Sequence, residues 1–361
     1  MKALAGTIVC GAVMLHATLA TAQSVALEFD QSAGYSTEDV TAAHTKLRAF
    51  GEAVSGLSFS VTSVWGKRSQ ESDAFGAAYP YTDHPVVLDA YAERTFRPAG
   101  KLLGVRVGRY RTPFGISSES DQGYVGFLRD PLIRYDDFFA LSSTFFEHGA
   151  DVVVGWPRLS LEASLGRPAD VGEHTRSAGL DQVLRGQAAA GDFIVGASYI
   201  DTRPHLARTE IDLPGIDLPV AGDGDASVDR DLHADESRPL APGRATFGGV
   251  DVRWMRGGVQ LRGEFISGRP FDGAATHGGY LDLILHRPSM GPLTAAFRAE
   301  HLAHRDGSVM VLNGERYVAA MRIRIGHGIV AHVETHHATR GLPDRRPTAV
   351  DVGVSYSLRL K

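Results

Sequence analysis

Apolar and polar residues alternate along most of this chain. Residues 350–360 read Val-Asp-Val-Gly-Val-Ser-Tyr-Ser-Leu-Arg-Leu and alternate without a break. Successive side chains of a strand point to opposite faces, so one face of this segment is apolar and the other polar. A helix would spread the same apolar residues around its circumference. Similar runs at 159–165, 259–265, 293–300 and 317–325 predict an all-β chain.

The connections between the predicted strands differ systematically in length. Short ones, such as Ser55-Gly56 and Gly191, alternate with longer ones, of which 112–146 and 204–244 are the longest. Bacterial outer-membrane barrels have short turns at one end and longer loops at the other. In a soluble β-sandwich, short and long loops are not expected to alternate in this way. Several strands reach nine or more residues, the length that a tilted membrane strand needs. We therefore predict a transmembrane antiparallel β-barrel of about 16 strands. The predicted strands are residues 24–31, 41–54, 57–69, 85–98, 100–111, 147–156, 158–166, 181–190, 192–203, 245–255, 258–268, 278–287, 292–303, 315–325, 328–339 and 347–361.

The N-terminus has the three parts of a secretory signal peptide. Met1-Lys2 supplies a positive charge, an uncharged apolar run follows, and Ala20-Thr21-Ala22 offers small residues for cleavage. We expect residues 1–22 to be removed and residues 23–361 to form a single exported barrel domain. A retained anchor helix is the less favoured alternative, because the apolar run is short and weakly flanked.

Composition and motifs exclude several classes of function. The net charge of -5 argues against a nucleic-acid surface, so no nucleic-acid partner is expected. Cys10, the single cysteine, lies in the signal peptide, which leaves the mature chain without a thiol, a disulfide or a cysteine-based metal site. The sequence has no Gly-x-Ser-x-Gly elbow, no zinc-protease motif and no glycine-rich phosphate loop. We predict that the protein is not an enzyme and needs no cofactor.

Residues 104–115, Gly-Val-Arg-Val-Gly-Arg-Tyr-Arg-Thr-Pro-Phe-Gly, resemble a segment of the phosphate-selective porin O/P family. In that family the strand leads into a long third loop, which residues 126–135 resemble in turn. The resemblance implies a sixteen-strand barrel of the Gram-negative outer membrane that often forms homotrimers. Its partners would be outer-membrane lipid and the barrel-assembly machinery. Leu360-Lys361 departs from the aromatic residue with which such barrels usually end.

By the same resemblance, segment 112–146 folds into the lumen as a constriction. A sixteen-strand lumen is wide enough for water, so its narrowing would determine selectivity. Opposed cationic and anionic side chains there would sieve polar solutes, with aromatic residues such as Phe127 bracing the loop. The alternative is a loop that lies over the mouth with solvated charges. The candidate constriction residues are Glu119, Asp121, Arg129, Asp130, Arg134, Asp136 and Asp137.

The polar face of the predicted strands would line the lumen with charges of both signs. These charges nearly cancel, so the sequence assigns neither an anion nor a cation preference and does not support phosphate specificity. Neighbours such as Arg262 and Glu264 are expected to brace the wall. The candidate wall residues are Lys46, Arg48, Arg106, Arg253, Arg262, Arg298, Arg322, Arg324, Glu264, Glu300 and Glu334.

Two side-chain clusters and two arginines depart from the simple pattern of an apolar outer face and a charged inner face. His332, Glu334 and His336 share one strand face, but the histidines would be about 13 Å apart, which favours pore lining over a metal site. The carboxylates of 223–231 miss the EF-hand spacing, which favours a solvated acidic loop. Arg94 and Arg109 fall on the apolar face of their strands, which requires either an interfacial position or a bulge. We therefore predict no metal site.

Together these features predict a passive channel for small hydrophilic solutes or ions. An outer-membrane barrel enzyme of the lipase or protease kind is a second hypothesis, which needs a Ser/His/Asp or Asp/His cluster at the external rim. A third is a plugged receptor or structural barrel in which loop 204–244 binds a partner. A soluble exported β-protein is a fourth, because alternation does not distinguish a lipid face from a core face.

Overall fold

Sixteen antiparallel strands close into a barrel within the residues that the structure describes. The structure is a computed structural model that describes residues 24–53, 56–70, 72, 74–76, 81–82, 84–116, 126–134, 146–168, 176–177, 179–202, 204–205, 244–270, 275–286, 290–306, 309–340 and 347–360. Each strand pairs with its neighbours in chain order, and the first pairs with the last. The predicted all-β antiparallel barrel of about 16 strands is confirmed. The predicted signal peptide, 1–22, lies outside the described residues.

The strands are ten to eighteen residues long. They are β1 Ser24–Ser36, β2 Val40–Glu52, β3 Leu57–Arg68, β4 Val86–Phe96, β5 Leu102–Arg111, β6 Phe146–Trp156, β7 Leu159–Pro168, β8 Asp181–Ala190, β9 Phe193–Thr202, β10 Ala245–Arg256, β11 Val259–Arg269, β12 Ala275–Leu285, β13 Leu293–Asp306, β14 Val309–Gly326, β15 Ile329–Arg340 and β16 Thr348–Leu360. A separate two-stranded ladder joins Arg176–Ser177 to Pro204–His205. No helix in the described part of the chain is long and apolar enough to cross a membrane.

Most strand boundaries lie within a few residues of the predicted ones, and two strands are clearly longer. β1 continues to Ser36, and β14 begins at Val309 where residue 315 was expected. Their hairpins therefore close over short connections, 37–39 and 307–308, at the end that carries the long connections. The predicted alternation between short and long connections therefore has two exceptions at this end of the barrel. The two longest connections, after β5 and after β9, both lie at this end.

The two faces of the sheet differ sharply in polarity. Leu184, Val250 and Leu281 point outward and are 58%, 55% and 55% exposed, whereas Asp282 and Glu334 point inward and are fully buried. A soluble monomer rarely exposes a continuous apolar surface of this extent. The outward face has the composition of a lipid-facing surface, and the inward face that of a polar lumen.

Arg94 and Arg109, the two arginines on the apolar face, both lie near strand ends. Arg94 is the third residue from the end of β4, and Arg109 is the third from the end of β5. The Arg109 Nε atom donates to the carbonyl oxygen of Leu88 at 2.9 Å, and its guanidinium carbon is 5.5 Å from the Phe146 ring centroid. The β3–β4 ladder also shifts register at Leu88, opposite Thr62 and Ser63, so a local irregularity lies beside Arg109. An interfacial position for the two arginines stays a prediction.

Candidate channel interior

Residues 126–134, the described middle of segment 112–146, contact inward-facing side chains of the far wall. The backbone N–H of Leu128 donates to Glu334 Oε2 on β15 at 2.6 Å. The backbone N–H of Leu132 donates to Glu300 Oε2 on β13 at 2.7 Å. Buried backbone donors need such partners, because an unpaired one costs about 1–3 kcal/mol. Glu300 and Glu334, both predicted wall residues, therefore hold the backbone of this segment.

Two arginines of the wall bind carbonyl oxygens of the same segment. Arg298 Nη1 on β13 donates to the carbonyl oxygen of Arg129 at 3.1 Å. Arg316 Nη2 on β14 donates to the carbonyl oxygen of Asp130 at 2.6 Å. Wall side chains thus satisfy both donors and acceptors of residues 126–134. Arg316 was not among the predicted wall residues, although it shares a strand face with Arg322.

Arg129 forms a buried ion-pair network with carboxylates from two other elements. Its Nε and Nη2 atoms donate to Asp351 Oδ2 and Oδ1 on β16 at 2.6 and 3.1 Å. Nη2 also donates to Glu38 Oε2, in the β1–β2 turn, at 2.7 Å. The side chains of Arg129 and Asp351 are both 0% exposed. The bidentate geometry is the one in which an arginine recognises a carboxylate most strongly.

Apolar contacts support the same segment. Phe127 packs with Ala296, Val318 and Ala320 of the inner wall. The guanidinium carbon of Arg298 lies 4.1 Å from the Phe127 ring centroid, which is a cation–π contact. A larger cluster further along contains Phe114, Leu132, Ile133, Val183, Ile200, Ala245, Phe247, Ile266, Tyr280 and Leu302. The described parts of 112–146 are therefore packed as well as hydrogen-bonded.

A second connection, between β3 and β4, also contacts the inner wall. Phe75 is buried and packs with Val40, and the partly buried Tyr81 and Leu128 complete this cluster. The Phe75 ring occupies the space over Gly34 of β1, where any Cβ would overlap it. The hydroxyl of Tyr81 donates to the carbonyl oxygen of Phe75 at 3.0 Å. Because Leu128 belongs to this cluster, the two connections touch each other.

Glu38 links the elements that meet here. Besides binding Arg129, its Oε2 accepts from the Ser72 hydroxyl at 3.4 Å, and its backbone oxygen accepts from Gln70 Nε2 at 3.0 Å. Its Oε1 lies 3.7 Å from His336 Nε2. The turn after β1 therefore joins the β3–β4 connection, the 126–134 segment and β15. Nothing in the local sequence around Glu38 signals this role.

Replacing Gly34 with alanine is expected to destabilise the barrel by about 1–3 kcal/mol, because the new methyl group must displace the Phe75 ring or strain β1. An added Cβ would also lie 2.8 Å from the carbonyl oxygen of Val352. Urea midpoints of the detergent-folded protein measure the effect. Gly104→Ala is the control, because its Cβ would lie at an ordinary 3.7 Å from Val153 Cβ. Equal midpoints for the two variants would contradict the placement of Phe75.

Most predicted wall charges have partners of opposite charge or polar partners on adjacent strands. Arg262 and Glu264, which the sequence predicts to brace the wall, both bind side chains of β12, because cross-strand neighbours lie closer than side chains two apart on one strand. The pairs are Lys46 with Asp30 at 3.2 Å, Arg48 with Ser60 at 3.1 Å, Arg106 with Glu93 at 3.0 Å, Arg262 with Asp282 at 2.7 Å, Arg298 with Asp282 at 2.8 Å, Arg316 with Glu300 at 2.6 Å and Tyr280 with Glu264 at 3.2 Å.

Several predicted site residues fall outside the described residues. These are Glu119, Asp121, Asp136 and Asp137 of the candidate constriction, the side chain of Arg134, and the acidic run 223–231. Arg253, Arg322 and Arg324 lie on the inward face of their strands. In the part of the chain that the structure describes, no three histidine, cysteine or carboxylate side chains converge as metal ligands. His332, Glu334 and His336 are instead buried beneath the segment that Glu334 binds.

Comparisons with known proteins identify the fold. No family model matches the sequence, and neither does any curated protein. A loop-deletion variant of OmpT, an outer-membrane protein of Vibrio cholerae, is 9% identical, with a TM-score of 0.58 over 93% of this chain and 98% of that one. Salmonella typhi OmpF in complex with daunomycin is 11% identical, with a TM-score of 0.56 over 93% and 97%. A porin structure refined at 1.8 Å is 12% identical, with a TM-score of 0.52 over 93% and 100%. The chain therefore has the closed sixteen-strand barrel fold of bacterial porin structures.

Proposed function

We propose that this protein is an outer-membrane porin through which small hydrophilic solutes or ions diffuse passively. The observation that carries the proposal is the opposite polarity of the two barrel faces. A sheet that is apolar outside and charged inside is stable only with lipid around it and water within it. A soluble barrel would need the reverse arrangement. Under this proposal the strands cross the outer membrane, and lipid covers residues such as Val250.

The proposed constriction is segment 112–146 together with the wall residues that hold it. Its support is the set of contacts from residues 126–134 to Glu300, Glu334 and Asp351, which draw the segment across the barrel from its origin at the end of β5. Arg129 acts here as an anchor with no charge left for a passing solute. Sieving would then depend on the space left beside the segment and on wall charges that remain exposed to water.

Charge is unevenly distributed around the proposed lumen. The inward faces of β4–β8 carry six carboxylates, those of Asp89, Glu93, Glu147, Asp151, Glu162 and Asp181, against two guanidiniums, those of Arg106 and Arg185. Among the side chains that the structure describes, the five strands opposite, β12–β16, are nearly balanced. They carry four inward carboxylates, those of Asp282, Glu300, Glu334 and Asp351, against five guanidiniums, those of Arg298, Arg316, Arg322, Arg324 and Arg359. A count of charges along the sequence conceals this separation. A field across the pore would orient dipolar solutes and favour polar over apolar ones.

Several finer features belong to the same proposal. Residues 1–22 would be a cleaved signal peptide, and 23–361 a single barrel domain inserted by the barrel-assembly machinery of a Gram-negative cell. The short turns would face the periplasm and the long connections the exterior. The likeness of residues 104–115 to the phosphate-selective porin O/P family supports a homotrimer, and the paired wall charges give phosphate no dedicated site.

Conductance in a planar bilayer tests the proposal directly. The detergent-folded protein is expected to produce stable open steps, and a homotrimer should close in three equal steps. The reversal potential in a salt gradient then gives the ion preference that wall charge determines. A protein that inserts but never conducts would contradict the porin proposal and would favour a plugged barrel. A single closing step would contradict the trimer alone.

A further inference from the structure

A cavity of about 470 Å³ lies inside the barrel between the two inward connections and the wall near the barrel seam. Phe127 and Leu128 line it from the 126–134 segment, and Phe75 and Tyr81 line it from the β3–β4 connection. The wall behind it carries small residues, among them Gly34 and Gly353, over which the Phe75 ring and the Leu128 side chain pack. Its volume falls within the range of about 300–1,000 Å³ typical of small-molecule sites.

The apolar side of the cavity is held in place by hydrogen bonds and ring contacts. Tyr81 binds the carbonyl oxygen of Phe75, and its ring lies under the Arg68 guanidinium carbon at 4.6 Å and edge-on to His44 at 6.0 Å. Leu128 is fixed through its backbone bond to Glu334. These preformed aromatic and aliphatic surfaces could contact a flat or alicyclic ring without reorganising, which lowers the cost of binding.

The charges that line the cavity leave one cation without a counter-ion. Lys46 is 3.2 Å from Asp30, which neutralises it. Glu28 lies between Arg48 and Arg359 in the ladders of β1 with its two neighbours. Arg322 has no carboxylate within ion-pair distance among the described residues. In register, it lies between Thr294 and His332, and neither is an acid.

We propose that this cavity is a solute-binding subsite for small amphipathic organic anions, meaning a single ring that carries one carboxylate. Arg322 would bind the carboxylate through its paired N–H groups, and the ring would lie against Phe75, Tyr81 and Leu128. The inference rests on the proposed porin function and adds a class of solute to it. A simple anion would bind Arg322 but would leave the apolar surface uncovered. A neutral ring would cover the apolar surface but would leave Arg322 without a counter-ion.

Benzoate is the probe, and its half-blocking concentration for single-channel current is the measurement. Benzoate is expected to reduce the current of the wild-type channel in a saturable way, whereas acetate and benzyl alcohol at equal concentration are not. Arg322→Gln is expected to raise the half-blocking concentration of benzoate about tenfold or more, as the loss of a charged hydrogen-bonded pair predicts. Arg324→Gln is the matched control, since it removes the same charge from the same strand face outside the cavity. It should change the half-blocking concentration less than twofold.

The outcomes separate the subsite from the channel. Equal block by benzoate in wild type, Arg322→Gln and Arg324→Gln, or equal block by acetate, would overturn the subsite while leaving the porin intact. If the wild-type protein does not conduct, the proposed function fails. Saturation-transfer NMR of benzoate with the folded protein and the same two variants then decides the subsite by itself. Binding that survives Arg322→Gln would overturn it there too.

Discussion

Replacing Arg129 with methionine is expected to destabilise the protein by about 3–5 kcal/mol, because it leaves two carboxylates buried without a cation. Asp351 is fully buried and loses both of its hydrogen bonds to the arginine, and Glu38 loses its closest ion pair. Methionine fills similar volume, so the effect reports charge more than packing. Urea unfolding of the protein in detergent measures the free energy. In the planar bilayer, release of residues 126–134 should also make the open current noisier.

Two further variants decide whether the ion pair is responsible. Arg167→Met removes an exposed arginine at the end of β7 and should change stability by less than about 0.5 kcal/mol. Adding Asp351→Leu to Arg129→Met removes the buried orphan charge and should recover part of the loss, a coupling of about 0.5–3 kcal/mol. Losses that simply add would mean that Arg129 and Asp351 act independently, contrary to the geometry.

An arginine at Val250 is expected to cost about 2–4 kcal/mol in a bilayer, because this outward position lies near the middle of β10. Val250 is 55% exposed on the apolar face, so the new guanidinium would face hydrocarbon. The folding equilibrium of the protein in lipid vesicles, measured by denaturant titration, gives the free energy. The result tests membrane insertion itself, independently of conductance.

Thr246→Arg provides the comparison for Val250→Arg. Thr246 lies on the same strand and the same face, second from the end of β10 that adjoins the long connection. Near the interface an arginine costs only about 0–1 kcal/mol, because its long side chain reaches the headgroups. A stability loss that is larger at the middle of the strand than at its end is diagnostic of a surrounding lipid bilayer. If both variants lose the same stability, or neither loses any, the outward face does not contact a bilayer.

Much of the fold was predictable because each strand obeys a local rule. Inward and outward residues alternate, so β8, predicted at 181–190, appears with the same bounds. The alternation of apolar and polar residues is harder to recognise in the sequence where the inward side chains are small. Ser32, Gly34 and Ser36, the inward residues after residue 31, concealed the last part of β1, although the ladder to β2 continues through Ser36. In β14, the apolar run 309–312 does not alternate, so its pairing with β13 was missed.

The interior was much less predictable, since its contacts join residues that are far apart in the chain. Arg129 was identified as a constriction charge from its loop, but its partner Asp351 lies 222 residues away. The sequence indicates which residues face inward and gives no indication of which two meet across a lumen. Phe75 was not anticipated at all. The position of Phe75 depends on the absence of a side chain at Gly34. In the sequence, a glycine only weakens the alternation of a strand and does not indicate which ring packs over it.

The position of Arg129 also bears on the order of events during folding. Asp351 belongs to the last strand and Glu38 follows the first, and these two strands form the pair that closes the cylinder. One guanidinium therefore bridges the seam from within, and its complete binding site exists only after the ends of the chain have met. Closure between such distant strands is slow because it carries the largest loop entropy. Residues 126–134 would thus gain their full anchorage in the final step of assembly, so an unfinished barrel would have a less restricted interior than the finished one.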